Sequence, residues 1–309
     1  MNTISASYNF PAGFLWGISA DDEIISSRDY YSFLYGLKEN FIGAVTVNLK
    51  WADFEPLKNN YNEMMIESVR NLFARINNQN IEPVVILDIG NIPQWQNLEK
   101  NQRKGTFSEE RYNFSVLIAN AIIPYTKFLG LCLSEASMYS NKLLQSEINT
   151  HQNIRNFIHS VSEQVKVGTI IPNGVFGRKH NSFLNITKRP QIHGIQRAEI
   201  DFVGISADDQ ARNAVANTYK ENRIPLMIIS DNLRSDPPES RLDELTEKIY
   251  NVWRFYMKGW EIIGYISETD ISSDSMEKTF FINTCRNNSF EISTDNPNLS
   301  EKWIRFLKD

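Results

Sequence analysis

The chain has 309 residues, of which 41% are hydrophobic, 22% charged and 12% aromatic, and a formal net charge of −5. That balance is too apolar for disorder and too acidic for a general nucleic-acid or anionic-membrane partner, and a chain of this length can bury a large core without staples. Two cysteines, Cys132 and Cys285, do not make a disulfide framework, and no apolar run approaches the ~20 residues of a bilayer span. The N-terminal Met-Asn-Thr-Ile-Ser-Ala-Ser-Tyr lacks the basic start and apolar core of a secretory signal, so a soluble, cytoplasmic protein is expected.

In chain order, Phe14-Leu15-Trp16-Gly17 opens a short strand after a Pro-Ala-Gly turn, and residues 26–38 carry apolar positions at helical spacing. Ile42 to Leu49 reads as a buried strand with β-branched Val45 and Val47. Met65, Val69, Leu72, Phe73 and Ile76 predict a helix over 62–79. Pro83 to Leu87 is continuously apolar, as expected of a parallel strand covered on both faces. A helical stripe at 108–128 leads to a strand at Leu129 to Leu133, and a long helix is expected at about 136–163. Further strands are predicted at Val165 to Ile171, Ile200 to Ile205, Pro225 to Ile229 and Glu261 to Ser267, with helices at about 240–258 and 299–308. Pro172, Gly174, Gly177, Pro190 and Gly194 make 172–199 a loop where a crossover helix would otherwise sit.

Eight strand candidates, most followed by a helix, imply parallel pairing with right-handed crossovers and a closed (β/α)8 TIM barrel, an α/β fold. An open doubly wound sheet is the runner-up, but no glycine-rich phosphate loop follows any strand. Without a repeat or a linker, residues 1–309 count as a single domain.

A barrel gathers the C-terminal ends of its strands around one mouth, where active sites form. The residues predicted at those ends are Asp88, Ser134-Glu135, Ser206 with Asp208 and Asp209, Ser230-Asp231-Asn232 and Glu268-Thr269-Asp270. A ring of carboxylates suits glycoside hydrolysis, in which one acid protonates the leaving oxygen and another stabilises or attacks the sugar. It also suits an oxygen-ligated divalent cation, and the competing structural role of such acids is to cap the following helices. His151, His159, His180 and His193 show no metal-ligand spacing, and His151 and His159 read as partly exposed structural residues of one helix. There is no Gly-x-Ser-x-Gly elbow, Walker loop or Cys-x-x-Cys, and Cys132 reads as a small hydrophobe inside a strand. Trp16, Trp51 and Trp95 lie near strand ends, where they would either stack on sugar rings or pack the rim.

Several segments resemble the retaining β-glycosidases of glycoside hydrolase family 1. Phe10-Pro11-Ala12-Gly13-Phe14-Leu15-Trp16-Gly17 is similar to that family's opening Phe-Pro-x-x-Phe-x-Trp-Gly. Trp51 through Pro56 falls where the family has Trp-Ser-Arg-Ile-x-Pro, and Ile81-Glu82-Pro83 with Ile92-Pro93-Gln94-Trp95 is similar to Ile-Glu-Pro…Leu-Pro-Gln-Trp. Asp201-Phe202-Val203-Gly204-Ile205 resembles Asp-Phe-x-Gly-Ile, and Gly264-Tyr265 resembles the start of the eighth strand. The matches are collinear from residue 10 to about 270. The family is usually longer, and the difference would fall mainly in 172–199.

The resemblance implies a barrel, no cofactor and a catalytic carboxylate pair. Cys132-Leu133-Ser134-Glu135-Ala136 would hold the acid/base at Glu135, in place of Thr-Phe-Asn-Glu-Pro. Ile229-Ser230-Asp231-Asn232-Leu233 would offer Asp231 as nucleophile if one residue is inserted upstream; without that insertion Ser230 takes the position and no carboxylate remains. The family's sugar-binding glutamine corresponds to Ile24, its His-Trp pair to Ile89-Gly90, its orienting arginine to Thr46, and its last glutamate and tryptophan roughly to Ser275 and Met276. An aspartate in place of a glutamate withdraws the carboxylate by ~1.5 Å, which moves the pair from the retaining separation toward ~6.5–7 Å, the lower edge of the inverting range.

Two readings therefore stand. In the first, the chain hydrolyses a β-glycoside, with Glu135 as acid/base, Asp231 as nucleophile or charge stabiliser, Asn232 as orienter, and Asp88, Ser134, Asp208 and Glu268 at the substrate rim. In the second, it is a catalytically silent barrel that binds a glycan or a protein. Both expect a carbohydrate or glycoside partner first, with no metal, nucleic acid or membrane, and neither fixes the oligomeric state.

Overall fold

The first strand, β1 (Ser5–Asn9), stands apart from the main sheet. The next eight are β2 (Leu15–Ser19), β3 (Ala44–Lys50), β4 (Glu82–Asp88), β5 (Phe128–Cys132), β6 (Lys166–Ile170), β7 (Phe202–Ser206), β8 (Leu226–Ile229) and β9 (Ile262–Ser267). In the computed structural model each is parallel to its neighbour and β9 pairs back onto β2, so the sheet closes into a (β/α)8 barrel. The structure describes residues 5–20, 30–90, 93–95, 108–133, 141–171, 200–206, 224–229, 238–267, 275–293 and 303. Helices α1 (Tyr30–Glu39), α2 (Trp51–Phe54), α3 (Glu63–Asn78), α4 (Ser108–Ile122), α5 (Asn141–Val161), α6 (Pro238–Met257) and α7 (Met276–Asn287) belong to the surrounding layer, and β10 (Ser289–Ser293) follows. Among the described residues no helix is long and apolar enough to cross a membrane.

Successive side chains of each strand alternate between the helix layer and the barrel interior. Val45, Val47 and Leu49 of β3 face outward into one core with Leu34, Leu37, Phe73 and Ile76 from the helices. Ala44, Val84, Ile170, Phe202, Met227 and Ile266 form a second core inside the barrel. Ile170 needs glycine on both sides: a Cβ on Gly130 would lie 2.5 Å from its Cδ1, and one on Gly204 only 2.2 Å away. These two glycines are what let a branched side chain span the barrel at the level where the mouth begins.

Beside the start of β2 an aromatic cluster packs in the outer core. Phe10 packs edge-on against Trp16 with ring centroids 4.9 Å apart, and Phe14 lies 4.7 Å from both Phe10 and Trp16. Asn288, left-handed at φ 49°, caps α7 and ties this cluster together. Its Nδ2 donates to the carbonyls of Phe10 and Pro11 at 3.1 and 3.0 Å, and its Oδ1 accepts from Trp16 Nε1 at 2.9 Å. Beside it β1 pairs antiparallel with β10, Ser5 opposite Ser293 and Asn9 opposite Ser289.

All eight expected barrel strands are present. The strand pair β1 and β10, the helix α7 and the single turn α2 were not anticipated. The stripe read as a helix over 108–128 stops at Ile122, because Pro124 has no N–H to continue the ladder and β5 starts at Phe128. The expected loop 172–199 and nearly all of the expected helix 299–308 lie outside the described residues.

Candidate active site

The described part of the mouth is built by the last inward-facing side chains of the barrel strands. Because β3 alternates, Ala44 and Thr46 point inward and so do Asn48 and Lys50. Thr46, buried at 2% exposure, donates from Oγ1 to Ser19 Oγ of β2 at 3.1 Å. Asn48, one pleat further up, is solvent-exposed. An inward side chain of a closed barrel reaches water only through an end, so Asn48 marks an open mouth. Lys50 is the register partner of Asp88 on β4, and both are partly exposed and engaged. Asp88 Oδ1 also accepts from Gly90 N at 3.1 Å, a local turn bond that fixes the carboxylate at the end of its strand. Asp88 therefore ends β4 with one carboxylate oxygen held by a local turn.

Among the described residues the barrel interior beside and below Asn48 is aliphatic. Ile86, Ile170 and Ile229 come from β4, β6 and β8, and Cys132 from β5 joins them in the same interior core. Alternate strands contribute to one layer of a barrel, so the three isoleucines form a floor across it. Burial first, and then the neighbouring Asp88 carboxylate, push the Cys132 thiol well above its ordinary value. It is therefore a neutral thiol at pH 7 rather than a nucleophile.

Asp88 is the one substrate-rim residue anticipated from sequence that lies among the described residues. Ser134, Glu135, Asp208, Asp231, Asn232 and Glu268 lie outside them. Their strands end at Cys132, Ser206, Ile229 and Ser267, between one and three residues before each. Asn48 was missed, although the period-two pattern of Ala44-Val45-Thr46-Val47-Asn48 carries the signal: counting inward from Thr46 lands on it.

Several other expectations are now corrected or resolved. Trp16, Trp51 and Trp95 are at most 9% exposed, so they pack the barrel ends and offer no open platform. Trp51 lies nearly parallel to Phe114 at 5.9 Å and donates from Nε1 to Glu55 Oε2 at 2.6 Å, while Trp95 Nε1 donates to the Glu55 carbonyl at 3.1 Å. The buried Glu55 also accepts from the Asn59 amide at 2.7 Å. Burial, then Glu55 and Glu110, push the Tyr61 hydroxyl up to about 12. His151 is not partly exposed: it is 1% exposed, with Nδ1 3.0 Å from Thr169 Oγ1. Burial and the nearby Arg111 bring its pKa down to about 3. His159 is engaged by Asp201, at 2.9 Å. Ser275 is the N-cap of α7 and accepts from Lys278 N at 3.1 Å, a structural task. Among the described residues no group of three or more His, Cys, Asp and Glu side chains is arranged to hold a metal ion.

No family model matches the chain, and no curated protein matches it in sequence. Solved structures do. A β-glucosidase from Thermotoga maritima in complex with cyclophellitol superposes with a TM-score of 0.67 at 12% identity, over 91% of this chain and 99% of that one. The β-glycosidase BGL167 gives a TM-score of 0.70 at 12% identity over 90% and 97%. The Thermotoga maritima enzyme has also been solved with deoxynojirimycin, and that structure superposes at 0.68. At this identity the likeness is one of fold, that of a β-glucosidase-like barrel.

Proposed function

We propose that the chain is a divergent glycoside hydrolase of the family 1 type, acting on a β-glycoside at the C-terminal mouth of the barrel. The observation that carries this reading is the barrel's strand order combined with a fold shared over 91% of the chain with β-glucosidases. Glu135 follows the fourth barrel strand by three residues and Asp231 follows the seventh by two, the strands that bear the catalytic acids in the family it resembles. Glu135 would protonate the departing oxygen, and Asp231 would attack or stabilise the developing oxocarbenium charge. Ser134, Asn232, Asp208 and Glu268 would border the sugar with Asp88. The partner is a glycoside-like small molecule, as with the inhibitors bound by the neighbouring β-glucosidases, and the compartment proposed is the cytoplasm.

The second reading, a silent glycan-binding barrel, is favoured by a different observation. Thr46 stands where the resembled family has the arginine that orients its nucleophile, and its hydroxyl is already spent on Ser19. A hydroxyl cannot supply the fixed cationic fork of an arginine.

A panel of activated aryl β-glycosides separates the two. Hydrolysis by the wild type that falls at least ~100-fold in both Glu135→Gln and Asp231→Asn establishes the glycosidase and both roles. No hydrolysis of such reactive leaving groups by the wild type would establish the silent barrel instead.

A further inference from the structure

The inward face of β3 carries Ala44, Thr46, Asn48 and Lys50 in turn, and the partners of these residues leave hydrogen-bonding groups on one stretch of wall. Thr46 and Ser19 of β2 are register partners whose hydroxyl oxygens lie 3.1 Å apart. Such a pair uses one O–H between its members and keeps the other. Thr46 donates and is buried, so the remaining O–H belongs to Ser19, the last residue of β2, which is partly exposed. Asn48 stands next along β3 with its carboxamide in solvent, and Lys50 with its register partner Asp88 forms the rim above it. Ser19 and Asn48 are one strand and two residues apart, about 8 Å between Cα atoms. Both side chains point into the same wet space, so a single oxygen between them is within hydrogen-bond reach of both. Ser19 offers a donor there, and Asn48 offers a donor and an acceptor.

We infer that Ser19 and Asn48 form a substrate subsite of the mouth and hold one hydroxyl of the sugar between them. The inference rests on the glycoside reading above and adds two uncharged binding residues to a site otherwise read from its carboxylates. Both are specificity-determining residues, because they meet the sugar and not the bond that breaks. A site built to pair a hydroxyl rejects an analogue that lacks it, since its own polar groups then lose their partner.

The test is calorimetric binding of S-linked phenyl β-D-glucoside, β-D-galactoside, β-D-mannoside and β-D-xyloside, which resist hydrolysis, to the full chain. The wild type should bind at least one of the four. For that ligand Asn48→Ala and Ser19→Ala should each weaken binding roughly tenfold, the loss expected for one hydrogen bond. Because both residues meet the same hydroxyl, the double variant should lose less than the product of the two losses. Thr46→Val removes the neighbouring hydroxyl but keeps the Ser19 O–H, so it controls for disturbed packing. It should weaken binding less than Ser19→Ala, even where it lowers Tm as much. Wild-type affinity in Asn48→Ala or Ser19→Ala, losses that simply multiply in the double variant, or an equal loss in Thr46→Val would overturn this inference and leave the glycoside reading intact. No binding of any of the four by the wild type would overturn both.

Discussion

The two ends of this barrel are built on different principles. At the N-terminal end several polar side chains have multiple partners: Asn288 makes three side-chain hydrogen bonds to Phe10, Pro11 and Trp16. Asp201, just before β7, accepts from Arg155 Nε and Nη2 at 2.9 and 2.8 Å, from His159, and from the Val167 amide at 2.8 Å. Glu82, at the start of β4, accepts from the Lys127 amide at 2.6 Å. At the C-terminal end the described mouth holds an exposed asparagine and an aliphatic floor. The segments resembling glycoside hydrolase family 1 fall at both ends: Trp51 to Pro56 and Trp95 follow β3 and β4 at the mouth. Phe10 to Gly17, Glu82-Pro83, Asp201 and Gly264 lie toward the N-terminal end, where a barrel keeps its stability. The substituted positions, among them Thr46 and Gly90, lie at the open end, where a barrel keeps its chemistry.

The contrast is broken most strongly by removing the anchor at Asp201. Asp201→Ala removes two hydrogen bonds from Arg155, leaves the Val167 amide without its acceptor, and should cost about 3 kcal/mol, a fall in Tm of roughly 6–10 °C. Asp201→Asn keeps an acceptor for the Val167 amide and should lose about half as much. Equal losses in the two variants would show that charge, not the amide bond, is what matters there. Asn288→Ala should cost about 2–3 kcal/mol, because it leaves the Trp16 N–H without its acceptor and puts a Cβ-bearing residue without a local hydrogen bond at φ 49°. Asn288→Gly accepts that φ freely, so the difference between the two variants in denaturant unfolding reads the backbone cost alone.

The barrel wall was legible from sequence because burial on both faces leaves continuous runs such as Pro83-Val84-Val85-Ile86-Leu87. β1 and β10 were not, since Ser-Ala-Ser-Tyr-Asn has little β-propensity and its partner strand is some 280 residues away. The capping signals of α7, Ser275 and Asn288, were present but lie in a stretch that no barrel pattern requires. At the mouth, chain order pointed to the acids after β5 and β8, yet the isoleucine floor was invisible. In Ile86, Ile170 and Ile229 the inward side chains have the same character as the outward ones, and only closure of the sheet separates them.

Acid tests the wall from another direction. His151 is held neutral between β6 and the helix layer, so the unfolded chain, with an ordinary histidine near 6.5, binds the extra proton first. The stability this histidine contributes is therefore complete above about pH 6.5 and lost progressively as pH falls toward about 3. Between pH 7.5 and pH 5 the loss should reach about 2 kcal/mol, from about 1.5 pH units at 1.36 kcal/mol each. His151→Gln should flatten that part of the profile in chemical denaturation followed at several pH values. A slope unchanged in the variant would assign the acid sensitivity to other groups.

The smallest stability effect belongs to the mouth, and its smallness is the point. Asn48→Ala removes an exposed side chain that supports no described hydrogen bond, and it should move stability by no more than ~0.5 kcal/mol. Its consequence should appear in ligand affinity instead, opposite to Asp201→Ala, which should unfold the chain at lower temperature without touching any group at the mouth. A large stability loss in Asn48→Ala would mean that the polar side of the mouth is itself structural. The separation of a stable end from a chemical end would then fail at the residue where it is most sharply drawn.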